Sequence, residues 1–120
     1  MSLLVSKIRG TSCGEPIRLS AHQRLEHSEV LERLRTIAAE LEEARGRRTR
    51  EDLPQTARNL AVRRCGAFSR RILDESKNLP IQNKAARWVH WGQPGIVRLV
   101  YPPAVRGGPD LYLDLLEPAL

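Results

Sequence analysis

Between residues 21 and 45, Val30, Leu34, Ile37, Leu41 and Ala44 recur at alternating intervals of four and three. That spacing puts all five on one side of an α-helix, and Leu31 and Ala38 widen the stripe. Ser20 stands three residues ahead of Gln23, the spacing of a capping box, in which each side chain satisfies the other's backbone N–H. Glu29 with Arg33 and Glu43 with Arg47 form i,i+4 pairs on the outer faces, and Gly46 offers a stop. The pattern predicts a first helix over about 21–45. A second stripe follows at Ala57, Ala61, Cys65, Phe68 and Ile72, with Pro54 where a first turn belongs. It runs straight through Gly66, whose cost in a helix interior is about 1 kcal/mol relative to Ala. The second helix is therefore predicted over about 54–76, ending before Pro80.

The remaining segments alternate as strands do. Residues 3–8 (Leu-Leu-Val-Ser-Lys-Ile) predict a short strand, and residues 10–18 have loop composition. Residues 87–91 and 96–101 flank Gly92-Gln93-Pro94-Gly95, where Pro followed by Gly suits a type II turn. Type II is not the favoured tight hairpin turn, so a loop longer than two residues is expected. Pro102, Pro103 and Gly107-Gly108-Pro109 separate a further strand over 111–116.

The order β-α-α-β-β-β predicts a single α+β domain over 1–120. Two long helices pack with a small antiparallel sheet built from the C-terminal hairpin and the third strand, with the N-terminal strand as a candidate fourth. A second arrangement stays open. A break at Cys65-Gly66 would give three helices and a hairpin, the order of a winged helix-turn-helix, with Ser69, Arg70 and Arg71 on the recognition helix and Gln93 at the wing tip. The internal spacing is about one residue too long for the usual turn of that motif.

Composition changes the picture mainly through arginine. The chain of 120 residues carries a net charge of +6, from 17 Arg and 3 Lys against 14 acids. A GC-rich or overlapping reading frame also inflates arginine, but such bias spreads it along the chain. Here nine arginines fall between Arg45 and Arg71 against two acids, Glu51 and Asp52, a net charge of +7 that leaves −1 for everything else. Charge segregated in this way is the footprint of a polyanion partner. Arginine also binds phosphate bidentately and stacks on bases, as lysine does not.

The candidate interface is Arg47, Arg48, Arg50, Arg58, Arg63, Arg64, Arg70 and Arg71. On a continuous second helix, Arg63 and Arg70 lie opposite the apolar stripe and Arg64 and Arg71 flank them, while Arg58 is nearer the other side. The competing expectation is that these arginines bridge the glutamates of the first helix, Glu26, Glu29, Glu32, Glu40, Glu42 and Glu43. Trp88 and Trp91 are candidates for base stacking. Three residues apart on a strand, they face opposite sides, and with five aromatics in the chain both are more simply read as core residues.

Nothing points to catalysis. There is no glycine-rich phosphate loop or nucleophile elbow. His22 and His27 are five apart, which does not make a helical metal pair. No catalytic residue, metal or cofactor is expected. Cys13 and Cys65 read as free thiols in a reducing compartment. Leu3-Leu4-Val5 is too short for a leader or a membrane span.

The reading is a small, non-enzymatic, intracellular protein, cytoplasmic or nuclear in a eukaryotic host, that binds duplex DNA or RNA through its phosphate backbone. A viral or phage accessory role suits its size and arginine bias. A hydrophobic fraction of 41% leaves little core to spare, so a homodimer through the first helix is a second expectation. The alternative function is a protein-interaction module, an inhibitor, adaptor or accessory subunit that docks through its charged helices.

Overall fold

The computed structural model describes residues 8–10, 20–80, 86–101, 107 and 111–116. Its elements run β1 (Ile8–Gly10), α1 (Ala21–Arg48), α2 (Gln55–Ser76), β2 (Trp88–His90), β3 (Val97–Tyr101) and β4 (Leu111–Leu116). The four strands form one antiparallel sheet in the order β1-β4-β3-β2. With two long helices beside a small antiparallel sheet, the chain has the α+β architecture that its periodicity predicts.

Helix α1 begins as expected. The Ser20 side chain accepts from the Gln23 N–H at 3.2 Å, and Gln23 Oε1 accepts from the Ser20 N–H at 2.9 Å, which completes the capping box. All seven residues of the predicted stripe, including Leu31 and Ala38, are buried, with Leu34, Ala38 and Leu41 at 0% exposure. They pack within the chain, because α1 lies against α2 along one flank and against β4 along the other. The seam proposed for a dimer through α1 is thus already covered intramolecularly. The helix also passes Gly46 and ends at Arg48, three residues beyond the predicted end at about 45. Arg45 and Arg48 in this last turn both contact the loop that follows β2, which holds the turn in place.

Helix α2 is continuous through Gly66. The break required by the winged helix-turn-helix alternative is absent, and with it the three-helix order. Ala61, Cys65 and Ile72 are buried along one face, so unwinding at Cys65-Gly66 would pull that face out of register with the core. Gly66 itself is on the solvent side. Pro54 is the N-cap, and its carbonyl accepts from the Arg58 N–H at 3.1 Å.

In the sheet, Val97, Leu99 and Tyr101 of β3 and Leu113 and Leu115 of β4 join the core beneath α1. A register shift between Val97 and Arg98 pairs Arg98 with Asp114, and Arg98 Nε lies 2.8 Å from Asp114 Oδ1. The turn is as predicted: the Ile96 N–H donates to the Gln93 carbonyl at 3.1 Å and Gly95 has φ +76°. Only glycine takes that φ without strain. Six residues separate β2 from β3, so the loop is longer than a tight hairpin. The N-terminal strand pairs at Ile8–Gly10 with β4, further along than predicted; residues 3–7 of that prediction lie outside the described residues.

Two outcomes follow. Leu34→Ala should lower unfolding free energy by about 2–5 kcal/mol in urea titration, whereas Leu25→Ala, on an exposed side chain, should stay within about 0.5 kcal/mol. The second concerns His27, which is 7% exposed, with Nδ1 unpartnered among the described residues. Burial, and then the nearby charge of Arg35, hold its pKa below the ordinary 6.5. The unfolded chain therefore takes up a proton that the folded chain refuses, and the stability that His27 contributes is present above pH 6.5 and falls as the pH drops below it. The thermal midpoint should fall on acidification across this range, and less steeply in His27→Leu.

Candidate nucleic-acid interface

The arginines between Arg45 and Arg71 divide by geometry into three groups. Arg45 is structural. Its side chain is 10% exposed, and Nη1 donates to both oxygens of Glu42, at 3.0 and 3.1 Å. Its Nη2 donates to the Gly92 carbonyl at 3.2 Å, while Glu42 Oε1 accepts from the Gly95 N–H at 2.8 Å. The Glu42–Arg45 pair thus clamps the β2–β3 loop to α1. One turn on, the Arg48 guanidinium lies 4.7 Å above the Trp91 ring, which itself packs against the core.

A second group is exposed and paired. Arg47 Nη2 meets Glu43 Oε1 at 3.0 Å, and Arg71 Nη1 meets Glu40 Oε2 at 3.7 Å across the two helices. Arg50 donates to both oxygens of Asp52, from Nη2 at 2.5 Å and from Nε at 3.0 Å. That hydrogen bond holds the Asp52 carboxyl below its usual range. Water screens exposed pairs of this kind and they add little to stability, so a phosphate can displace the carboxylate at little cost. The predicted Glu29–Arg33 pair does not form; Arg33 Nε reaches Glu75 of α2 instead, at 2.6 Å.

The third group has no carboxylate partner among the described residues: Arg58, Arg63, Arg64 and Arg70. Arg58 is half-buried, with its Nε unpartnered among the described residues. Arg63, Arg64 and Arg70 are exposed. Arg63 and Arg70, seven residues apart, stand on the face of α2 turned away from its buried side, with Asn59, Gly66 and Ala67 exposed around them.

The two tryptophans part company. Trp88 is 49% exposed and meets His90 edge-on, with ring centroids 5.9 Å apart. Trp91 is held between the core and Arg48, so the expectation that both are core residues holds for Trp91 alone. Cys65 is free and buried, which pushes its thiol pKa up and keeps it protonated; Cys13 lies outside the described residues. Among the described residues, no group of three or more His, Cys, Asp or Glu side chains could hold a metal ion. None of the described helices is long and apolar enough to cross a membrane.

Sequence reasoning missed two features. One is the loop clamp. The other is a groove of about 280 Å³ between α1 and α2, with Ala44, Leu53, Ala57, Leu60 and Phe68 along its floor and Arg64 and Glu43 among its rim residues. Leu60, 47% exposed, falls outside the helical stripe, and that mismatch was the available signal.

No protein-family model, curated protein or solved structure matches this chain.

The division into groups has a measurable consequence. Arg45→Ala should reduce unfolding free energy by about 1–3 kcal/mol, because Glu42 and the Gly92 carbonyl lose their donor. Arg63→Ala should change it by less than about 0.5 kcal/mol, as expected of an exposed cation without a partner. Chemical denaturation of the two variants checks both values.

Proposed function

We propose that this is a small, non-enzymatic protein that binds duplex nucleic acid, DNA or RNA, mainly through the phosphate backbone. The observation that carries the reading is the exposed pair Arg63 and Arg70, which has no carboxylate partner among the described residues although the two helices carry many glutamates. Arg64 flanks them, and the weakly paired Arg47, Arg50 and Arg71 extend the same surface. Arg48, engaged with Trp91, is a lesser contributor. A straight helix with cations on its outer face suits a ligand whose charge repeats along a line. An intracellular location, and an accessory or regulatory role of the kind small viral and phage proteins play, belong to this reading. Trp88, the accessible tryptophan, is the candidate for stacking on a base at a strand end.

A second reading is a protein-interaction module. It is favoured by Leu60 and Val62, 47% and 55% exposed on α2, and by the apolar groove beside Leu60.

Binding to random-sequence duplexes, followed by fluorescence anisotropy from roughly 50 to 200 mM salt, separates the two. Four phosphate contacts predict a loss of affinity of about 10²-fold over that range. Arg63→Glu with Arg70→Glu should abolish binding to every sequence alike. Weak binding indifferent to salt, together with a stable protein partner recovered from nuclease-treated extract, would favour the second reading.

A further inference from the structure

Gly66 has no role inside the fold. It lies mid-way along α2 in ordinary helical backbone, and among the described residues the glycines with positive φ are elsewhere, at Gly95 and Gly107. It faces solvent, and a Cβ added to it would meet nothing within 4 Å. Neither a turn nor a close internal contact asks for glycine there, and alanine would favour the helix. Its neighbour Ala67 is also exposed and small. Arg63 and Arg70 bracket the two. At 100° per residue the arginines lie within about 20° of each other around the helix, with Gly66 and Ala67 about 40–60° to either side. Their Cα atoms are about 10.5 Å apart along the axis. The outer ridge of α2 is therefore a bare patch between two cations.

We infer that this patch is where α2 makes its closest approach to B-form duplex DNA, seated in the major groove with Arg63 and Arg70 directed at the floor and the small Gly66 and Ala67 between them letting the helix backbone in. The inference rests on the nucleic-acid reading above and names its ligand and docking mode. Each side-chain atom on that ridge, a lone Cβ included, holds the helix axis further from a facing surface; their scarcity between two cations lets an anionic surface come close to the helix backbone. The major groove of B-DNA, about 12 Å wide, admits a helix of about 10–12 Å diameter. The deep, narrow major groove of A-form RNA does not. Arg64 and Arg71, about 100° round the helix, face one phosphate row.

The test compares the wild type with Gly66→Leu, Gly66→Ala and the Arg63→Glu/Arg70→Glu pair, on duplex DNA and duplex RNA of the same random sequence, with thermal melts of each protein. Gly66→Ala should raise the melting midpoint by about 4 °C yet weaken DNA binding. Gly66→Leu should keep the wild-type fold and weaken DNA binding about tenfold or more. The wild type should prefer DNA to RNA. If Gly66→Leu does not fold, the opposite movements of stability and affinity in Gly66→Ala decide the matter. Wild-type affinity in the glycine variants, with binding lost in the arginine pair, overturns groove seating and leaves the backbone reading standing. Equal affinity for the RNA duplex does the same. Failure of the wild type to bind either duplex in a salt-dependent way overturns both.

Discussion

Helix α1 is buried along two flanks at once, against α2 on one and β4 on the other, and this double contact sets the position of everything else. Leu34, Ala38 and Leu41 are fully buried within it. Few residues are aromatic, so the core is filled largely by aliphatic side chains of α1 and of the inward positions of β3 and β4. Once those faces are covered, the remaining sides of α1 have no freedom of phase. Glu40 and Glu43 must run beside α2, and Glu42, Arg45 and Arg48 must meet the loop between β2 and β3.

That constraint turns one run of basic residues into groups with different physical roles. Arg45 is nearly buried and must be bonded, because a desolvated guanidinium without acceptors would destabilise the fold. Arg47, Arg50 and Arg71 sit in water beside carboxylates, where attraction and screening nearly cancel. Arg63 and Arg70 point away from every glutamate of α1, because α2 turns its other face to the core. The same packing that consumes some of the positive charge therefore exposes the rest.

Helix α2 thus has an inner face that closes the core and an outer face that carries unbalanced charge. Between them, toward α1, lies the apolar groove that includes Leu60. The outer face suits a ligand with regular negative charge, and the groove suits an apolar side chain of a protein partner. The two surfaces are neighbours on one helix, yet charge-reversal at Arg63 and Arg70 acts on the first without filling the second.

Much of the fold was legible in the sequence, because periodicity and capping are local properties of the chain. The stripes of both helices, the Ser20–Gln23 capping box, the Pro94-Gly95 turn and the strand at 111–116 all follow from neighbours a few residues apart. The continuity of α2 through Gly66 was also written in its unbroken stripe. What the sequence could not assign was the partner of each charge. Arg33 passes over Glu29, four residues away, for Glu75, 42 residues away. Arg45 holds a carbonyl 47 residues away, and Glu42 an amide 53 residues away. The extension of α1 past Gly46, the placing of Ile8–Gly10 on the edge of β4 and the separate fates of Trp88 and Trp91 depend likewise on distant segments. A helix period fixes which residues share a face; only the packing of that face against the rest of the chain decides which charges are neutralised and which remain exposed.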